Sequence, residues 1–446
     1  MKHFDEARSD VINALSDPQV VSLVEKICAI FDLNGRCRIL AKSKPGIDSE
    51  NLKTLNTIFQ SAADDFWMGD EVWIESEKNP ASRQAIYDAV WTAAKPIPAH
   101  PISYILDRHL SKDAWFGSPL LPPWPLNPNT PPIISFFSFK GGVGRTTALA
   151  AFATLVARAG KRVLVVDFDL EAPGIGTLFS VPNEDEPQFG VVDFLLDWPV
   201  MKMKKESFEI DAYCRSITDK KIVGESNGEI ICVPAGKVDE HFVEKLARVN
   251  YEHLYRSASE LAATPSGKSP IHEMLNLLKS KWNPEYVLID SRAGFHDLGG
   301  LALSGIAHWH VLFGLNSEQS WQGISVGVSH LGEQEILAGR KQRDCTLVQA
   351  MTPSPQAGRA QAVASFKNRA YEVFSDRYYN DPDTSNAEWP VPDSEDVEQP
   401  HMPQLVSWDS RVFAYDTVAD IADTLCEGDY RNLTNHILLK LGRNAL

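Results

Sequence analysis

The chain has few of the features that would tie it to a membrane, an oxidising compartment or a nucleic acid. Its six cysteines lie far apart and form no C-x-x-C pair, which argues against a zinc site or a disulfide framework and for reduced, buried thiols. No apolar run approaches the roughly 20 residues that span a bilayer. The opening residues lack the apolar core of a secretory signal, so a cytoplasmic location is expected. Basic residues are outnumbered, 43 against 59 acidic, giving a net charge of −16. Phosphate-backbone affinity comes mainly from clustered Lys and Arg, so direct nucleic-acid binding is disfavoured. The nearest thing to a basic patch, Lys202, Lys204, Lys205, Lys220 and Lys221, reads as a solvated face around an insertion.

With 446 residues and 43% hydrophobic composition, the chain is expected to fold into two or three domains. Residues 1–112 read as a smaller, mainly helical N-terminal domain of unassigned role. Apolar residues recur at helical spacing in Val11-Ile12-Leu15 and Val20-Val21-Val24-Ile27. Short strands are expected at Ile39-Leu40 and Val72-Trp73-Ile74, and Trp67, Trp73 and Trp91 read as a small core. Residues 113–132 read as a proline-rich linker, because Phe116–Pro132 holds seven prolines, which fix φ and remove amide donors.

From Ile133 onward strand and helix signals alternate, as in an α/β domain with a mostly parallel sheet and helices on both faces. Strands are expected at Ile133–Phe139, Arg162–Asp167, Glu229–Val233, Tyr286–Asp290, His308–Leu315 and Thr346–Ala350, with a helix over Thr146–Arg158. Residues 376–404 carry eight acidic residues and five prolines and read as an exposed loop or disordered insertion.

One string carries chemistry. Between that first strand and helix lies Lys140-Gly141-Gly142-Val143-Gly144-Arg145-Thr146-Thr147. Glycines let the backbone curl around an anion and aim N–H groups inward, and the following helix adds its positive end. Thr146 offers a hydroxyl to Mg²⁺, and Thr147 lies within reach of an α-phosphate. Two further strands end in carboxylates, Asp167-Phe168-Asp169 and Asp290. A strand-end carboxylate beside such a loop is where a Mg²⁺ water shell or an attacking water is held.

These motifs resemble the ParA/MinD family of deviant Walker A P-loop ATPases. Lys140–Thr147 is similar to its K-G-G-x-G-K-[ST]-[ST] loop. Asp167-Phe-Asp169, 27 and 29 residues after Lys140, resembles its D-x-D switch I, and Asp290-Ser-Arg-Ala-Gly294 its D-S-P-A-G switch II. Ile231-Cys-Val-Pro-Ala-Gly236 also looks like a strand-loop of the family. The likeness covers about residues 133–446. It implies a Rossmann-like three-layer fold and a Mg²⁺-dependent ATPase that dimerises around ATP and controls a partner protein. By the same resemblance Lys140 reaches across the dimer to the partner's phosphates, Gly141–Thr147 cradle the nucleotide, and Asp169 positions the hydrolytic water. Asp290 holds the Mg²⁺ shell, with Thr146 and Asp167 completing the metal set, while Gly294 lets switch II respond to the γ-phosphate.

The sequence departs from that pattern at Arg145, which stands at the Walker lysine position, and at Arg292, which stands at the switch II proline. Arginine is larger, planar and forked, so binding is expected to survive and hydrolysis to be slow or partner-activated. Arg292 reads either as an added phosphate contact or as a structural ion pair. Two other classes remain open: an ATP-sensing module with negligible turnover, and an ATP-dependent small-molecule ligase or kinase of the same superfamily. His296-Asp297 reads as a polar loop in preference to a general-base pair. A C-terminal helix with Leu433, Ile437, Leu438 and Leu441 on one face reads as packed on the sheet in preference to lying on a membrane. For the base, Gln349–Pro353 and Trp408–Arg411 are candidates by position.

Overall fold

In a computed structural model, described for residues 2–69, 71–76, 79–97, 100–116, 121–181, 187–204, 207–249, 251–254, 269–337, 345–353, 358–379 and 391–446, the chain divides into two compact units, Met1–Leu110 and Ser111–Leu446.

The first unit holds helices α1 (Phe4–Ala14), α2 (Pro18–Leu23), α3 (Ser49–Ala63) and α4 (Ala81–Ala93). Its strands are β1 (Val24–Phe31), β2 (Cys37–Ser43), β3 (Trp73–Glu75), β4 (Lys95–Ile97) and β5 (His100–Asp107), in the order β3-β2-β1-β5-β4. Helices hold more residues than strands, yet the five-stranded sheet organises them. Alternate residues of β1 go to opposite faces. Ile27, Ala29 and Phe31 join Val11, Leu15, Leu55 and Phe59 on one side, and Cys28 joins Leu40, Tyr87 and Val90 on the other.

Two expectations are corrected here. Val24 and Ile27 lie in β1 instead of continuing the helix from Val20. Asp17 caps α2 through Gln19 N and Pro18 opens it, but pairing with β2 and β5 on both sides captures the next eight residues, and tertiary pairing overrides a helical spacing. The three tryptophans do not form one core: Trp67 packs on one face, Trp73 and Trp91 on the other.

The second unit is built on an eight-stranded sheet: β6 (Ile133–Ser138), β7 (Arg162–Asp167), β8 (Arg215–Ile217), β9 (Glu229–Val233), β10 (Tyr286–Asp290), β11 (Trp309–Gly314), β12 (Cys345–Thr352) and β13 (Gln404–Ser407). The order is β13-β12-β11-β6-β10-β7-β9-β8, with every pair parallel except β8–β9. Strands β6, β10 and β11 are buried along their whole length, as in a sheet covered on both faces. One face carries α5 (Arg145–Arg158), and against α5 pack α14 (Val418–Leu425) and α15 (Gly428–Lys440). The other carries α7 (Val191–Lys204), α10 (Pro270–Trp282), α12 (Glu318–Leu337) and α13 (Arg359–Arg377). The short helices α6 (Ile175–Leu178), α8 (Lys220–Val223), α9 (Phe242–Leu246) and α11 (Asp297–Leu301) complete the unit.

After β6 the chain steps to one side of the sheet and later returns to the other, so β6 ends at a topological switch point, where open α/β sheets bind ligands. The apolar face of α15 is spent on packing: Leu433, Ile437 and Leu438 are buried in the core, which leaves none of them to meet a lipid surface.

The proline-rich stretch expected as a stiff connector belongs to the second unit. Trp124 is buried, its Nε1 donates to Pro131 O at 2.8 Å, and its carbonyl meets His308 Nε2 at 2.9 Å. Of the acidic stretch 376–404, residues 376–377 end α13, and residues 391–403 form a loop that exposes Val391 and Val397. Residues 391–403 turn against α13, with Tyr371 donating to Pro392 O at 3.2 Å and buried His401 meeting Tyr379 at 2.8 Å. Residues 380–390 lie outside the described residues.

Candidate functional site

The strand β6 delivers the chain to the turn 139–144, and α5 takes it away. Gly142 and Gly144 adopt φ of 71° and 81°, left-handed values that a side chain would strain. A Cβ added at Gly141, Gly142 or Gly144 would meet nothing within 4 Å, so this backbone faces open space. Val143 is the turn's anchor, buried in the core under α5. Above the turn opens a cavity of about 630 Å³, of the size small-molecule sites have. Its inner wall is Gly141–Thr147 with Ser138, Asp169, Arg292 and Ala293. Its outer wall carries Met351, Trp408, Val412, Phe413 and Tyr415, with Ser407 and Asp409 beside them.

Thr146 Oγ1 donates to Asp290 Oδ2 at 2.7 Å. Hydroxyl and carboxylate oxygens side by side are donors suited to a hard cation such as Mg²⁺, and these two residues would hold it. Arg145 is the exception to the expected arrangement. Its side chain turns onto the carboxylates, donating from Nε to Asp290 Oδ1 at 2.7 Å and from NH2 to Asp169 Oδ2 at 3.3 Å. The guanidinium and a metal therefore compete for Asp290.

Asp167, expected among the metal ligands, is not among the residues lining the cavity. It is fully buried, and its oxygens accept from Asp169 N (3.0 Å), Gly174 N (3.1 Å) and Ile175 N (3.0 Å). It thereby organises the turn after β7. Burial, then the neighbouring Asp290 charge, push its carboxyl well up, against three N–H bonds that favour the ionised form. Asp290 is likewise raised by burial, with Arg145 and Thr146 pulling the other way.

Asp169 stands between two guanidiniums. Arg292 NH1 donates to its Oδ1 at 3.1 Å, and Arg292 NH2 pairs with Glu171 Oε2 at 3.1 Å. Glu171 also meets His296 Nε2 at 2.8 Å, while His296 Nδ1 accepts from Leu298 N at 3.3 Å and caps α11. With both ring nitrogens engaged, His296 serves as a polar joint of the loop and not as a base facing the cavity. Asp297 is buried and binds Lys112 through N (2.6 Å) and Nζ (2.7 Å).

The structure thus gathers Gly141–Thr147, Asp169 and Asp290 at one place. Lys140 is half-buried and is not among the residues lining the cavity. Gln349 points into the protein, donating to Ala362 O at 3.4 Å, whereas Met351 and Trp408 reach the cavity. Glu171, Phe413 and Tyr415 escaped the sequence reading. An acid two residues past Asp169 was the available sign for Glu171. Tyr415, whose hydroxyl meets Thr147 Oγ1 at 3.1 Å, comes from a loop 268 residues away and left no local sign.

A phosphate-shaped loop at the switch point of a doubly covered parallel sheet, with strand-end carboxylates beside it, defines a P-loop nucleotide-binding fold. Residues 134–338, just under half of the chain, match the CobQ/CobB/MinD/ParA nucleotide binding domain family. Over 52 residues the chain is 45% identical to an uncharacterised ATP-binding protein of Methanocaldococcus jannaschii, covering 12% of this chain and 20% of that one. The chain spans about a fifth of the length of the curated relatives it matches. Among solved structures it is similar to pNOB8 ParA bound to nonspecific DNA, at 15% identity and TM-score 0.41, over 70% of this chain and 99% of that one. The septum site-determining protein MinD with Mg-ADP from Pyrococcus horikoshii is similar at 20% identity and TM-score 0.33, over 53% and 77%.

Proposed function

We propose that the second unit is a Mg²⁺-dependent ATP switch that pairs with a second copy of itself around nucleotide and controls a protein partner recruited by the first unit. The observation that carries this reading is the open backbone cradle of Gly141, Gly142 and Gly144, set beside the Thr146–Asp290 pair. Amides of the turn and the N-terminus of α5 bind the phosphates, and Thr147 helps at the inner end. Lys140, which does not line its own cavity, serves the partner copy's phosphates. The aromatic outer wall receives the base. Thr146 and Asp290 would hold Mg²⁺, which would supply charge neutralisation at the phosphates. Asp169 orients the attacking water. The water oxygen bonds to the γ-phosphorus as the bond to the β–γ bridging oxygen breaks, ADP leaves with the electron pair, and the water's proton passes to solvent. The net charge of −16 disfavours a direct nucleic-acid partner, and the switch works in the cytoplasm.

Arg145 favours a second reading, an ATP sensor with negligible turnover, because its guanidinium rests on the carboxylates that turnover uses. Phosphate release separates the two. A switch releases phosphate at a rate that Asp169→Ala abolishes, and light scattering finds a dimer only with ATP, lost in Lys140→Ala. A sensor binds ATP and releases none. A dimer indifferent to nucleotide in both proteins removes the sandwich model.

A further inference from the structure

Arg292 has a fixed station beside the loop. Ser291 N donates to Phe136 O and Gly294 N to Ser138 O, each at 3.1 Å. Residues 291–294 are therefore tied at both sides to β6, the strand that runs into the phosphate loop. Arg292 and Ala293 bridge the gap between these ties, and both line the cavity with Gly141–Thr147. The guanidinium donates from NH1 to Asp169 Oδ1 at 3.1 Å, and its NH2 forms an ion pair with Glu171 Oε2 at 3.1 Å. An arginine owns five N–H donors in a rigid plane, so at least three remain for a ligand. Its side chain is 28% exposed, at the cavity wall and not sealed within it. Asp169 at NH1 and Glu171 at NH2 hold the two ends of the fork, which orients its plane before any ligand arrives.

We propose that Arg292 is a catalytic residue which donates its remaining N–H groups to the γ-phosphoryl group bound by its own chain. This rests on the nucleotide reading above. As the bond to the bridging oxygen breaks, negative charge spreads over the γ-phosphoryl and leaving oxygens, and a preset cation there stabilises the transition state more than the ground state. A rigid, planar donor suits that geometry better than a lysine ammonium. Asp169 then has two cations beside it, Arg145, which also holds Asp290, and Arg292, which also pairs with Glu171.

A residue acting only by steadying Asp169 would also slow turnover when removed, so the test is a double-mutant cycle on binding. ADP alone, and ADP with aluminium fluoride as transition-state mimic, are titrated in Mg²⁺ buffer. The proteins are the full chain, Arg292→Ala, Arg292→Lys, Asp169→Ala and Asp169→Ala/Arg292→Ala. Arg292→Ala is expected to leave ADP affinity within about threefold and to weaken the mimic at least about tenfold. The same loss is expected in the Asp169→Ala background, with part regained in Arg292→Lys, which keeps the charge that holds the loop. A loss that falls equally on ADP and the mimic, or that vanishes when Asp169 is absent, overturns the assignment. Wild-type protein that takes up neither ADP nor ATP sinks the nucleotide reading, and this assignment with it.

Discussion

The two units bury different things. Among the described residues the smaller unit buries Ser103 as its one polar side chain, while its charged groups lie nearer solvent. The larger unit buries Arg145, Asp167, Asp169, Asp290, His296 and Asp297 around the carboxyl ends of β7 and β10. Withdrawing a charge from water costs several kcal/mol, and a buried pair seldom recovers more than that. A fold with no task for such charges does as well with leucines. The contrast teaches that, among the described residues, the larger unit alone carries a cluster of buried charges, at the strand ends where a candidate site lies.

That contrast can be broken in several ways. The largest effects are on stability. Asp290→Ala leaves the Arg145 guanidinium buried without its main partner, and urea unfolding of the larger unit should show a loss of about 3–5 kcal/mol together with lost nucleotide binding. Phe59→Ala removes a fully buried ring from the smaller unit's core, a loss of about 3–5 kcal/mol in that unit, with phosphate release unchanged. If Phe59→Ala also abolishes release, the two units are not separate in this sense. Next, Asp169→Ala should cut basal phosphate release at least about 100-fold, with melting of the smaller unit unmoved.

A smaller effect comes with pH. His330 is buried beside Trp115, and burial holds its imidazole down at about 4. The folded state thus binds fewer protons than the unfolded one between the ordinary value near 6.5 and about 4, so stability is full above that window and falls as pH drops through it. Urea midpoints across pH 4–7 should show a loss on the order of 2 kcal/mol that His330→Leu removes. The smallest effect concerns Arg145. Arg145→Lys should raise phosphate release about tenfold, by freeing Asp290 from the forked guanidinium. Unchanged or slower release removes the idea of a throttled site.

How much of this was written in the sequence follows from the same contrast. Strands β6, β7, β9, β10 and β11 are largely apolar runs because both faces are covered, and β6, β7 and β10 end at motifs that mark them. β1 alternates and shares its first residues with a helical spacing, so its capture by β2 and β5 was not legible. The short edges β8 and β13 carry too few residues for a pattern. In the site, the loop, Asp169 and Asp290 are local motifs and were legible as such. The direction of the Arg145 side chain was not, since it depends on two carboxylates brought from 24 and 145 residues away. Nor was the task of Asp167, which three backbone amides decide.

The most direct test of the central claim is calorimetric titration of ATP and of GTP, with Mg²⁺, into the full chain and into Gly142→Val, whose side chain the left-handed backbone does not tolerate. Saturable binding of one nucleotide per chain at micromolar Kd, weakened at least about tenfold in the variant, is the predicted result. No uptake of either nucleotide at millimolar concentration, or equal affinity in the two proteins, would contradict a loop built to hold a polyphosphate.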